Sequence, residues 1–104
     1  MANARPFETG DEKERLKIAL QEYASRMPEV PEVAGVVVVP GPERDLFTYI
    51  DERDWDVCYK LMDVEDVLFE MFDDVLFDFH IRYLEGRSVD EAMPASAEVI
   101  YRRG

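Results

Sequence analysis

Between residues 51 and 83 the hydrophobic period of the chain changes from three-to-four residues to two. No other feature of the sequence constrains the fold as much. Val57, Leu61, Val64, Leu68, Met71 and Val75 recur at steps of three and four, the signature of one helical face. Asp56, Asp63, Asp66, Glu70 and Asp73 fall on the opposite side of the same helix. Immediately afterwards Phe77, Phe79, Ile81 and Tyr83 alternate with Asp78, His80 and Arg82, the signature of a strand with one buried and one wet face. The pattern predicts a helix over 51–74 and a strand over 77–83. Asp63, with Asp66 one turn later, could also cap a new segment, which leaves the continuity of the helix open there.

The flanking segments complete an α+β pattern. Leu16, Leu20, Tyr23 and Met27 recur at i, i+4, i+7 and i+11 and predict a first helix over 12–27. Thr9 and Glu12 are spaced as a capping box, and Pro28 and Pro31 end the helix. Val36, Val37, Val38 and Val39 stand between Gly35 and Pro40-Gly41-Pro42, so they predict a short buried strand. A second strand over 46–50 follows a connection short enough for a hairpin. After the alternating strand, Glu85-Gly86-Arg87 turns the chain and Ser88 is placed to cap one helical turn, which Pro94 ends. Residues 97–102 form the last strand, with Ala97, Val99 and Tyr101 on one face. The order α-β-β-α-β-β predicts a two-layer sandwich, with two helices on one face of a four-stranded, mainly antiparallel sheet. A length of 104 residues suits a single domain, with 1–9 as a flexible lead.

Acidic side chains number 24 against 12 basic, a net charge of −12 at pH 7. Binding a phosphate backbone requires a basic patch, and an anionic bilayer repels such a chain, so nucleic acid and membranes are excluded as partners. A hydrophobic fraction of 47% supplies a core and argues against disorder. The single cysteine, Cys58, excludes an intrachain disulfide and fits a reducing compartment. No apolar leader and no run of about 20 apolar residues is visible, so a cytoplasmic location is expected.

Two groups of residues are candidates for sites. Asp78, His80 and Arg82 share one strand face, about 6–7 Å between successive side chains. A carboxylate beside an imidazole orients it as in acid–base pairs, and Arg82 could grip an anion, so the trio is a candidate ligand-binding site. The plainer reading, a solvated sheet face, weighs more, because no Ser, Thr or Cys stands beside the trio as a nucleophile. One His and one Cys, with no CxxC or HxxxH, all but exclude a zinc site by ligand supply; calcium or magnesium could use carboxylates, but residues 51–56 lack the glycine and terminal glutamate of an EF-hand. No catalytic residue, metal or cofactor is therefore assigned. Trp55, Met62, Phe69 and Phe72 form a second apolar stripe beside the first, an arc wider than one sheet contact needs, and are candidate interface residues for a homodimer or a protein partner. The plainer reading is a helix nestled between the sheet and the first helix. Cys58 is expected to behave as a small buried hydrophobe.

The order of helix, strand 36–39, strand 46–50, helix, strand 76–83 and the closing Ala97-Glu98-Val99-Ile100-Tyr101-Arg102 resembles the small nucleotidyltransferase-like domains of bacterial toxin–antitoxin pairs. That family carries a Gly-Ser turn and an Asp-x-Asp pair on the second strand. Here the turn is Pro40-Gly41-Pro42 and only Asp45 and Asp51 flank the strand, so no catalytic residue carries over. The tail from Pro94 to Arg103, Pro-x-x-Ala-x-Val-Ile-Tyr-Arg-Arg, is similar to that of an uncharacterised small prokaryotic α+β family, which implies a fold and no activity. Together these features point to a non-enzymatic interaction or regulatory domain. The alternatives are a small-ligand-binding protein or enzyme using Asp78, His80 and Arg82, and an acidic, antitoxin-like or nucleic-acid-mimicking partner of a basic protein.

Overall fold

A computed structural model of the chain describes residues 10–41 and 44–104. Helix α1 (Gly10–Arg26) runs into a 3-10 turn, Met27–Glu29, where Pro28 forbids continued α-helical bonding. The predicted Thr9–Glu12 capping box lies outside the described residues. Strands β1 (Val33–Val39) and β2 (Asp45–Ile50) form the expected antiparallel hairpin. Helix α2 spans Trp55–Met71, shorter at both ends than the predicted 51–74. The Asp54 carboxylate accepts from the N–H groups of Asp56 and Val57 at 3.1 and 3.3 Å, so Asp54, not Asp51, caps the helix. The helix continues unbroken through Asp63, which settles the question of a second cap there.

Strand β3 (Asp78–Tyr83) then pairs parallel to β2, because α2 has carried the chain back along the sheet as a crossover. A single helical turn, α3 (Val89–Ala92), precedes β4 (Glu98–Arg102), which pairs antiparallel to β1. The strand order is β3-β2-β1-β4. The class is α+β as expected, but the sheet is mixed: the β2–β3 pair is parallel and the other two pairs are antiparallel.

The two long helices close one face of the sheet. Ala19, Tyr23 and Met27 of the first helical segment meet Val57, Leu61 and Leu68 of α2 over Val36, Val38, Leu46 and Ile50 in one buried cluster. Within it the Tyr23 hydroxyl shares a 2.7 Å hydrogen bond with the Thr48 hydroxyl, which satisfies both buried groups. The opposite face is closed only in part, by α3. Val89 joins Val37, Tyr49 and Leu84 there in a second, smaller cluster. Ser88 and Glu91 form the capping box that holds this single turn. Gly35 makes the approach possible: a Cβ on it would lie 3.0 Å from Val89 Cγ2 and 3.1 Å from the Tyr101 carbonyl.

The last strand departs from simple alternation. Val36 pairs with Tyr101 but Val37 with Val99, so Ile100 is an extra residue in β4, a bulge. Val99 therefore packs with the α3 cluster while Tyr101 packs with the helix-side core, and the expectation that Ala97, Val99 and Tyr101 share a face is corrected. Among the described residues no helix is long and apolar enough to cross a membrane.

Candidate functional site

Parallel pairing of β2 and β3 sets the site. The register matches Asp45 with Asp78, Phe47 with His80 and Tyr49 with Arg82. Side chains alternate across a strand, so these six share the face that α1 and α2 do not cover. His80 Nε2 lies 3.0 Å from Asp45 Oδ1 and 3.5 Å from Asp78 Oδ2. The imidazole is stacked on the Phe47 ring at a centroid distance of 4.7 Å and an angle of 21°, which holds the plane of the ring. The Asp78 N–H donates to the carbonyl of Arg44 at 3.3 Å, tying together the starts of the two strands. Arg44 itself holds a positive φ of 52°, an uncommon backbone state just before Asp45.

Arg82 contacts the same Phe47 ring as His80. Its guanidinium carbon lies 5.2 Å from the centre of the Phe47 ring, and it donates to the Ile81 carbonyl at 3.5 Å. The structure thus adds Asp45 to the predicted Asp78 and His80. Asp45 escapes a reading of the sequence because its closeness to Asp78 depends on strand order. The available signal is its position at the start of β2, matching that of Asp78 at the start of β3. The site is a shallow face at the sheet edge. A groove of about 590 Å³ lies elsewhere, between α1 and β4, with Leu16, Leu20, Ala24 and Tyr101 among its lining.

One titrating group lies on this face and another on the helix that covers the opposite one. Burial pushes the Tyr49 phenol up, partly offset by the cations of Arg82 and Arg87, and its hydroxyl donates to the Ala92 carbonyl at 3.4 Å. On α2 the half-buried Glu65 carboxyl is pushed up to about 7, chiefly by desolvation and further by Asp66, with His80 acting the other way.

The predicted interface stripe divides. Phe72 is only 4% exposed and belongs to the core, with the Arg15 guanidinium 4.9 Å from its ring centre. Trp55, Met62 and Phe69 are exposed at 62%, 49% and 44%, and Tyr59, not singled out from the sequence, at 60%. Tyr59 stands one turn after Trp55, so the helical spacing that marks the others marks it too. Arg53 lies 5.7 Å from the ring centres of both Trp55 and Tyr83 and bridges the start of this stripe to β3. Cys58 is buried at 6% exposure, as expected of a small hydrophobe. No protein-family model, no curated protein and no solved structure matches the chain.

Proposed function

We propose that the domain is a non-enzymatic docking module that receives a basic amphipathic helix of a partner protein along α2. One observation carries the proposal: Trp55, Tyr59, Met62 and Phe69, all large and all exposed, form a single line on a helix whose other side is used by the core. Exposed apolar side chains of this size mark interaction surfaces, and a line at steps of four, three and seven suits a helix laid alongside. Asp63, Asp66 and Glu70 are exposed within or beside the line, and Asp73 is exposed just after the helix. A second copy of α2 would bring these carboxylates face to face, whereas a Lys- or Arg-flanked apolar seam would pair with them. The same charge keeps phosphate backbones away. With the thiol of Cys58 unpaired, we place the module in the cytoplasm.

Trp55 is the sole tryptophan and lies in the proposed contact, so its emission reports binding directly. A synthetic helical peptide with a Leu seam and Lys flanks is titrated against the protein, and a Glu-flanked peptide serves as control. The expected result is a saturable blue shift with the Lys peptide alone. It weakens with salt and is lost in Met62→Ser/Phe69→Ser, which leaves the net charge unchanged. A shift that survives in that variant reflects bulk attraction and overturns the proposal. A blue shift on concentrating the protein alone, with sedimentation as a dimer, assigns the face to a second copy instead.

A further inference from the structure

We propose that Asp45, Asp78 and His80 form a binding site for a first-row divalent transition cation, of which Zn²⁺ is the representative. The ligand atoms of the three residues all lie within 4.8 Å of one another. Metal–ligand bonds of about 2.0–2.2 Å place neighbouring ligand atoms about 3.0 Å apart at right angles and about 3.4 Å apart at the tetrahedral angle. His80 Nε2 stands 3.0 Å from Asp45 Oδ1 and 3.5 Å from Asp78 Oδ2, so two of the three spacings are already close to those of a coordination shell, and the two carboxylates lie within 4.8 Å of each other.

The donors are also held in place. Asp45 and Asp78 are direct register partners on hydrogen-bonded strands, and the His80 ring is stacked on Phe47 with Nε2 toward both carboxylates. A site on rigid strands loses little entropy on binding. Charge favours a dication over a proton, because one imidazolium neutralises one of the two carboxylates while a dication balances both. The imidazole selects the ion class: Zn²⁺, Co²⁺ or Ni²⁺ accepts nitrogen readily, whereas Mg²⁺ and Ca²⁺ prefer all-oxygen shells. Three protein ligands leave at least one position for water or an exogenous oxygen, as in open rather than structural sites. The side chains of His80, Asp45 and Asp78 are 25%, 31% and 56% exposed, so an ion reaches them from the sheet edge.

His80 is the only histidine, so its ring ¹⁵N resonances form a single, unambiguous reporter. The full chain is titrated separately with Zn²⁺, Mg²⁺ and Ca²⁺ by calorimetry and by NMR, and with Co²⁺ by visible absorption. The expected result is one Zn²⁺ per chain, a large shift confined to the Nε2 resonance, and no comparable response to Mg²⁺ or Ca²⁺. His80→Phe, which keeps the stack on Phe47, should abolish binding. Asp45→Asn and Asp78→Asn should each weaken it by more than about tenfold. Asp90→Asn, which lies outside the cluster, should leave it unchanged. Zn²⁺ binding that persists in His80→Phe, or an unmoved Nε2 resonance at saturation, overturns the site. Co²⁺ absorption is read on the unaltered protein and depends on no variant folding: a d–d band of one equivalent supports the site, and its absence opposes it. These measurements leave Trp55 untouched, so this site and the α2 docking face stand or fall separately.

Discussion

The two faces of the sheet are closed to different degrees. One face lies under two helices of 17 residues each, the other under a helical turn of four. On the closed face, Leu46 and Ile50 flank the hydrogen-bonded Thr48, and all three are excluded from water. On the open face, α3 covers Val37 and Tyr49 but stops short of the starts of β2 and β3, where Asp45, Asp78 and His80 gather. The buried core and the cluster of charged groups therefore occupy opposite sides of the same strands. A core face tolerates only apolar or fully paired groups, while an uncovered face can carry charge without a desolvation cost.

This contrast can be broken most severely at the closed face. Leu61 is fully buried, and Leu61→Ala is expected to lower unfolding free energy by about 2–5 kcal/mol in a urea titration. The half-covered face is next. Gly35→Ala would force a methyl against Val89 and the Tyr101 carbonyl, and a loss of about 1–3 kcal/mol is expected, together with weakened amide protection in α3. A variant as stable as the parent would mean that α3 is not held by close approach. Tyr23→Phe removes the partner of the buried Thr48 hydroxyl, and a loss of about 1–2 kcal/mol should appear in the same titration.

Glu65 sharpens the comparison through pH. Its carboxyl holds a proton up to about pH 7 in the folded chain, against an ordinary value of 4.5. Between those values the folded state binds more protons than the unfolded one, so stability falls as pH rises through that window and the loss is complete above it. Glu65→Gln should remove this dependence and gain on the order of 1 kcal/mol at pH 8 relative to pH 5, after allowance for solvent screening. Equal pH profiles for parent and variant would exclude the effect. The smallest change is expected at Met62, next to Leu61 but 49% exposed: Met62→Ala should stay within about 0.5 kcal/mol in the denaturant series that Leu61→Ala fails.

The elements themselves are legible in the residues. Leu16 to Met27 and Val57 to Val75 announce two helices, Val36 to Val39 and Phe77 to Tyr83 announce strands, and Ser88 announces α3, because helix, strand and cap signals are local. Helix ends are less legible. Asp51 and Asp54 are both capable caps, and it is Asp54 that has the two N–H groups within reach. Three of the four residues expected in the interface stripe are exposed. Phe72 is core instead: it stands four residues after Leu68 and packs in the same buried cluster.

The amino-acid sequence alone established an acidic α+β chain, its element order, the amphipathic face of α2 and the alternation that puts Asp78 and His80 on one side of a strand. Periodicity, capping and composition act within a few residues, so they can be read without knowing where the chain goes next. Strand order, the parallel β2–β3 pairing, the bulge at Ile100 and the arrival of Asp45 beside His80 were settled by the folded chain. These depend on which distant surfaces α1 and α2 bury together, and burial of that kind is a property of the whole core rather than of any segment.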